Sequence, residues 1–479
     1  LFTKSTLQII GLIILSAIFG GYGCVGTQSS APENRSVRFY QEGYPEVVVN
    51  TVGWIDESDS TKLYIYVDVG IKSLIKITRP DEKITASFDV ETLLRDPDSN
   101  SLIINRSDKV ELTDDDIRAY GSNPNVSWRT TQSIPPGEYN LIINVTDRTS
   151  SKTSTVTTKA LIPDPESDNA AISGLTLSVK ENNSSGAFKP VNYRNIAAHY
   201  DSLMVNFQVV VPDSLRYGLK LRSLLVRFRS DLNAAGLPFY QNLYPGSLEY
   251  QGIDFENHDV EYASEIDLQD SMEKVTTFSH TFALKNEGNQ RFFIELSQND
   301  SVKATLHKDF ALRNPYYPDV KTPRALFEPL VYLMEENEFK RLNRIKSSDS
   351  LKQIVDQFWT ERMSQDEANK TLNLFYSRVE QANRYFTSYK EGWKTDMGMI
   401  YILYGPPEYV DRSFDQFYWS YGFYQSPNYF DPQKVFVFKQ AQPGFQFNAP
   451  HFILERRDYH YDYYQRIREA WRTGTIEQK

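Results

Sequence analysis

Two carboxylates, Asp396 and Glu408, flank a short apolar run in the C-terminal third of the chain, with His451 and His460 farther along. A carboxyl pair can divide acid and base work when its surroundings push the two pKa values apart, and an imidazole can relay the proton. Asp396 and Glu408 are therefore the residues that a hydrolytic, glycan-active chain would use. No nucleophile, base and orienting group stand together around them, however. Asp396 reads more simply as a residue that fixes a turn, Glu408 as a solvated side chain after two prolines, and no catalytic residue is assigned. His451, Glu455, Asp458, His460 and Asp462 crowd together in sequence, but their spacing is neither that of a closed zinc site nor a helical His-x3-His pair. Asp96-x-Asp98-x-Asn100 begins like a calcium loop, yet it contains Pro97, lacks the turn glycine and has Ser107 where a terminal glutamate is needed. It reads as a loop, and Asp114-Asp115-Asp116 as a helix start, where negative charge is favourable. No glycine-rich phosphate loop is present, and neither metal nor cofactor is assigned.

A second kind of chemistry is stacking. Phe417, Tyr418, Trp419, Tyr421, Phe423 and Tyr424 fall within one short stretch. Trp419 and Tyr421 are the candidate binding residues, able to stack on sugar rings if they are exposed. Aromatic side chains are more often core, so exposure decides between the two.

The elements that must carry these residues are of two kinds. From residue 45 to 165 short runs alternate apolar and polar side chains, as in Leu63–Val69, Ile84–Val90 and Leu141–Val145, which predicts strands. Pro135-Pro136-Gly137 makes a turn, and 147–152 closes a hairpin onto Thr153–Thr158, as at the end of a sandwich domain. Residues 171–313 form a second β-rich block, with strands at 203–210, 224–228 and 292–296. After Pro315-Tyr316-Tyr317-Pro318 the period becomes helical. Helices are expected over 327–342, over 350–363, and from Ser364, which with Glu367 makes a capping box. Thr395-Asp396-Met397-Gly398 reads as a tight turn with Gly398 at positive φ, and 399–404 as a buried strand ended by Gly405-Pro406-Pro407. A short antiparallel sheet and a helix over 458–471 complete the chain. The fold class is multi-domain: two β-sandwich-like, all-β modules, then helices and a small α+β C-terminal domain over 320–479.

Gly392-Trp393-Lys394-Thr395-Asp396, then Gly398, Tyr404 and Gly405-Pro406-Pro407, preceded by Phe358-Trp359, Tyr376, Arg378-Val379, Ala382-Asn383 and Phe386, carry a family resemblance. In order and spacing this stretch resembles the GWxTD domain of bacterial envelope proteins, over about residues 325–455. The β domain at the front resembles modules that commonly precede it. Where the family often has arginine on both sides of the glycine, this chain has Met397 and Met399, so anion binding by those arginines does not carry over.

The start of the chain points to a compartment. Lys4, an apolar run from Leu7 to Phe19 and Gly20-Gly21-Tyr22-Gly23 precede Cys24, the single cysteine. A charged start, a hydrophobic core too short to span a bilayer and small residues are the parts of a secretory signal. Residues 1–23 would be that signal. Ending on cysteine, it looks like the lipobox of bacterial lipoproteins, with Gly21 where leucine is usual; the alternative is an ordinary signal with an incidental cysteine. A lipid on Cys24 would hold the chain at a membrane by hydrocarbon burial alone, with residues 24–44 as tether. No acidic cluster follows Cys24, which favours the periplasmic face of the outer membrane. A net charge of −10 argues against nucleic acid as partner. The expectation is a lipid-anchored envelope lipoprotein that binds an envelope protein without catalysis, the alternative being a glycan-binding or hydrolytic protein using Asp396 and Glu408.

Overall fold

The computed structural model describes residues 43–476, except 120–124, 182–185, 192–194, 199, 216, 240–251, 269–272, 413–415, 423–433, 442–446 and 448–450. Cys24, the expected signal and most of the expected tether lie outside the described residues. The chain divides into two compact units, Leu1–Arg229 with Phe255–Asn314, and Ser230–Asp254 with Pro315–Lys479.

The first unit is built from two β-sandwiches. In the first, β1 (Val47–Ile55), β2 (Thr61–Gly70) and β6 (Asn125–Ser133) face a sheet of β3 (Ile77–Thr78), β4 (Ile84–Arg95), β7 (Gly137–Asp147) and β8 (Thr153–Ile162), with β5 (Leu102–Leu112) also paired to β4. Alternation drives the packing, as period-2 side-chain direction requires. Leu63, Ile65, Val67 and Val69 of β2 meet Phe88, Val90, Leu141, Ile143 and Val145 in one core. The expected hairpin is present: the Asp147 carboxylate accepts the amides of Thr149, Ser150 and Ile75 at 2.7–3.1 Å. Asp114–Ala119 is a short helix, α1, with the three aspartates in its first turn. The Asp96 carboxylate is consumed by Asp98, Ser99 and the Ser99 hydroxyl, which is loop chemistry.

The second sandwich has β9 (Ala171–Glu181), β10 (Lys189–Val191), β12 (Tyr200–Val210) and β15 (Val275–Ala283) in one sheet. The other holds β11 (Asn195–Ala197), β13 (Leu219–Ser230), β14 (Ile253–Asp267), β16 (Gly288–Gln298) and β17 (Ser301–Arg313). Leu203, Val205, Phe207 and Val209 pack against Leu221, Leu225, Phe292, Ile294 and Phe310. The two sandwiches are pinned together by Gln208, whose buried amide accepts from Ile55 N at 2.9 Å and donates to Ile55 O at 2.7 Å. A side chain that closes both backbone groups of one residue holds a fixed joint, since a lost partner would strand buried polar atoms.

The second unit opens with α2 (Pro323–Phe327), a 3-10 segment over Glu328–Tyr332 and α3 (Glu336–Leu342). The single helix expected over 327–342 is therefore broken. Pro329 has no N–H with which to continue α2, and burial of Pro329, Leu330 and Tyr332 on the tighter turn replaces the missing bond. α4 (Ser348–Thr360) follows, then α5 (Gln365–Tyr385), whose capping box from Ser364 and Glu367 is complete. A 3-10 turn over Gly392–Lys394 leads into α6 (Asp396–Tyr404). Strands β18 (Tyr409–Arg412), β19 (Gln416–Tyr421), β20 (Lys434–Gln440) and β21 (Phe452–Leu454) form an antiparallel sheet in chain order, and α7 (His460–Thr473) closes the unit. Residues 399–404 are thus helix, not strand. Met399 to Leu403 are buried all round, so no polar face betrays the helical period, and a short apolar run fits either element. No described helix is long and apolar enough to cross a membrane.

Candidate functional site

The stretch from Ser388 to Gly405 is held by a short bonded turn of its own and by groups on α5, β19 and α7. Gly392 lies so close to α5 that a Cβ there would stand 1.9 Å from Ala382 O, and its amide donates to Thr387 Oγ1 at 3.1 Å. Asn383 Oδ1 accepts from Trp393 N at 3.1 Å, and Tyr332 Oη donates to Trp393 O at 2.8 Å. The Trp393 ring meets Tyr332 edge-on and lies under Lys394 Nζ. Thr395 caps α6: its hydroxyl accepts from Gly398 N at 3.0 Å and donates to Gly392 O at 2.7 Å. The tight turn expected at 395–398 is therefore a helix N-terminus. Gly398 needs no positive φ; it is glycine because a Cβ would stand 1.9 Å from Gly392 O. At the other end Gly405 is at φ +83°, and a Cβ would lie 2.7 Å from the Arg378 guanidinium. Arg378 sits over the Trp471 ring and reaches Ile402 O at 3.4 Å, a cation at a helix C-terminus. Tyr421 Oη closes Gly405 O at 3.0 Å, and Trp471 Nε1 closes Leu403 O at 2.9 Å. Among the described residues the buried Tyr404 hydroxyl has no hydrogen-bond partner, and Pro406-Pro407 lead from the helix to β18.

Asp396 is the charged centre of this knot. Its carboxylate accepts from Leu454 N at 2.8 Å and from Arg456 Nη1 and Nη2 at 3.1 and 2.5 Å. The paired side chains are only 8% and 5% exposed. Both carboxylate oxygens are thus engaged within the protein by charge-assisted bonds. Glu408 is elsewhere: it accepts from Gly422 N at 2.9 Å, and its own amide bonds Ser420 O at the start of β18. Asp396 opens α6 and Glu408 follows its end, and the helix alone separates them by about 12 Å. The sheet gives a similar measure. Leu454 on β21, which binds Asp396, is three strand spacings from the β18 edge, about 14 Å. Paired glycosidase carboxyls stand roughly 5–9.5 Å apart, so the structure does not bring this pair together. Trp419 and Tyr421 are buried, at 1% and 6% exposure. The sugar-stacking role expected of them is corrected: Trp419 packs on Phe386 and Phe438, Tyr421 on Phe436.

His451 and His460 also part company. Ser388 Oγ and His451 Nδ1 are 3.0 Å apart, and the Tyr389 ring packs on the imidazole. Burial, then the nearby Lys390, pushes His451 down to about 4. A serine, a histidine and a lysine in reach suggest a nucleophile and its base, but Ser388 is 1% exposed. Burial lowers Lys390 and raises Tyr389, both beside Asp231 and Asp396. His460 instead meets Pro238 O through Nδ1 at 3.1 Å. Among the described residues no three His, Cys, Asp or Glu side chains gather as a metal would require. Sequence reasoning missed Arg456, Lys390 and the segment 231–239 that they hold. No local signal marks them, since their partners are far away along the chain.

No curated protein matches this sequence. Parts of the chain are similar to a red sea bream transglutaminase (7% identity, 58% of this chain and 32% of that one, TM-score 0.19). A Salmonella alpha-2-macroglobulin mutant is similar at 14% identity (59% of this chain, 17% of that one, TM-score 0.19). A chicken interferon gamma receptor alpha chain follows at 10% identity (56% and 98%, TM-score 0.15). The chain spans about a third of the transglutaminase and a sixth of the macroglobulin, and TM-scores this low carry no argument. Residues 293–473, from β16 through α7, match the model of the GWxTD domain family.

Proposed function

We propose that this is a lipid-anchored lipoprotein of the bacterial cell envelope, held at the outer membrane facing the periplasm, which binds an envelope protein through its GWxTD domain without catalysis. The observation that carries the non-catalytic part is the bonding of Asp396. The motif's one carboxylate is spent on Arg456 and Leu454, and its glycines are spent on close backbone contact. A signature consumed in this way builds a rigid platform. The β-sandwiches act as spacer and docking surface, a use supported by the rigid Gln208 joint. The anchor rests on Cys24 and the segment before it.

A photo-crosslinking residue placed at exposed Tyr461 tests the role, with Trp419, which is buried, as the silent position. A discrete adduct with one envelope protein, formed from Tyr461 and not from Trp419, is expected in intact cells. A diffuse ladder equal at both positions would sink the binding role. For the anchor, an alkyne-palmitate label should reach the wild-type chain and be lost in Cys24→Ala.

A further inference from the structure

The C-terminal unit contains a segment the chain supplies from between β13 and β14, and the family match, which begins at residue 293, does not include it. Residues 231–239, Asp-Leu-Asn-Ala-Ala-Gly-Leu-Pro-Phe, form neither helix nor strand. Their backbone is read by side chains of the motif region. Lys390 Nζ donates to Asn233 O at 3.0 Å, Arg456 Nη2 to Gly236 O at 2.9 Å and Arg456 Nε to Leu237 O at 3.2 Å. His460 Nδ1 meets Pro238 O at 3.1 Å, and Ala235 N donates to Lys394 O at 2.9 Å. Phe239 ends the segment against Tyr461 and Tyr464, with ring centroids at 4.9 and 5.3 Å.

The segment itself buries little. Of these residues only Pro238 is fully buried, and Asp231, Leu232, Asn233 and Gly236 are exposed. It is thus a surface strap recognised through its carbonyls, the way extended peptides are bound by main-chain bonds with a few side-chain anchors. Elements with few buried contacts open at the low end of the stability range. Asp396 takes a new role in this arrangement as a positioning residue. It grips one side of the Arg456 fork, and the other side meets the strap.

We propose that the track made by Lys390, Lys394, Arg456 and His460 is a peptide-binding site, that residues 231–239 occupy it in cis, and that the protein partner enters it as an extended segment of the same chemistry. Such a segment sets two successive carbonyls over the Arg456 fork, then proline at His460 and an aromatic side chain on Tyr461. The strap's effective concentration, on the order of millimolar for a short tether, keeps the track closed to weak competitors, so only a matching partner displaces it.

The probe is a fluorescein-labelled peptide with the sequence of residues 231–239, titrated by anisotropy into the full chain. Replacing residues 233–238 with Gly-Ser repeats should tighten peptide binding at least about 10-fold over wild type, by removing the competitor. Arg456→Met in that background should weaken it about 10-fold or more, since it removes two charged carbonyl contacts, and Arg456→Lys should restore part. Hydrogen exchange of α5, which does not carry the Asp396–Arg456 pair, confirms that each variant is folded. If the replacement does not fold, Ala235→Pro, which deletes the strap's bond to Lys394 O, serves with the same expected gain. Equal affinity for folded wild-type and strap-disrupted chains, or indifference to Arg456→Met, overturns the proposal. This inference rests on the binding role above, but the two fail separately. A discrete Tyr461 adduct with peptide affinity indifferent to the strap overturns the track alone. Peptide capture with no adduct in cells overturns the binding role and leaves the track standing.

Discussion

Asp396→Asn is the sharpest test of a structural motif carboxylate. The substitution keeps the shape and leaves an amide oxygen to accept from Leu454 N. It removes the charge that Arg456 faces at 2.5 and 3.1 Å in a site where the two side chains are 8% and 5% exposed. Stranding one member of a nearly buried pair costs about 3–5 kcal/mol. Arg456 keeps its carbonyl contacts with Gly236 and Leu237, so the low end, about 3 kcal/mol, is expected. For a unit of this size that is roughly 6–12 °C in melting temperature. The chain has more than one compact unit, so the assay is hydrogen exchange in urea, read on peptides covering 396–404 and 451–457. Those protections should fall while the strands of the first unit keep theirs. Adding Arg456→Met should recover part of the loss, because it removes the stranded cation. A cost below about 1 kcal/mol, or a double-variant cost equal to the sum of the singles, would refute the pairing argument.

Further outcomes follow from the same geometry. Gly392→Ala places a methyl against Ala382 O and should cost about 3 kcal/mol or more. Gly422→Ala, at φ +90° with no atom of the described residues within 4 Å of an added Cβ, should cost about 1 kcal/mol from backbone strain alone, and equal urea midpoints for the two would count against the close-approach reading. Trp419→Ala should lose about 3–5 kcal/mol, as a core tryptophan does; a variant of unchanged stability with altered glycan retention would contradict its burial. His451 is held at about 4 by burial, with Lys390, Tyr389, Ser388, Asp231 and Asp396 around it. The unfolded chain binds the proton more readily, so this contribution is present above about pH 6.5 and is lost as pH falls toward 4, by up to about 3 kcal/mol. Comparing the urea midpoint of wild type and His451→Gln from pH 7.5 to 4 checks it; parallel pH curves would refute it.

What the sequence determines by itself is local. The alternation of Tyr139, Leu141, Ile143 and Val145 sets which face of β7 is buried, because a strand's side chains change side at every residue. Ser364 and Glu367 announce the start of α5, since both capping bonds lie within one turn. The motif is legible as a marker, and residues 293–473 match its family. Its physical meaning is not legible, because the partners of its carboxylate and of the residues around it are distant in the chain. Asp396 is paired with a residue 60 positions away, and Arg456 reaches carbonyls 219 and 220 positions back. For the run from Met399 to Leu403 the sequence is silent between strand and helix, because burial on all sides erases the period that would tell them apart. Tertiary contact alone turned that run into a helix, closed Trp419 and Tyr421 into the core and set Asp396 and Glu408 at opposite ends of α6.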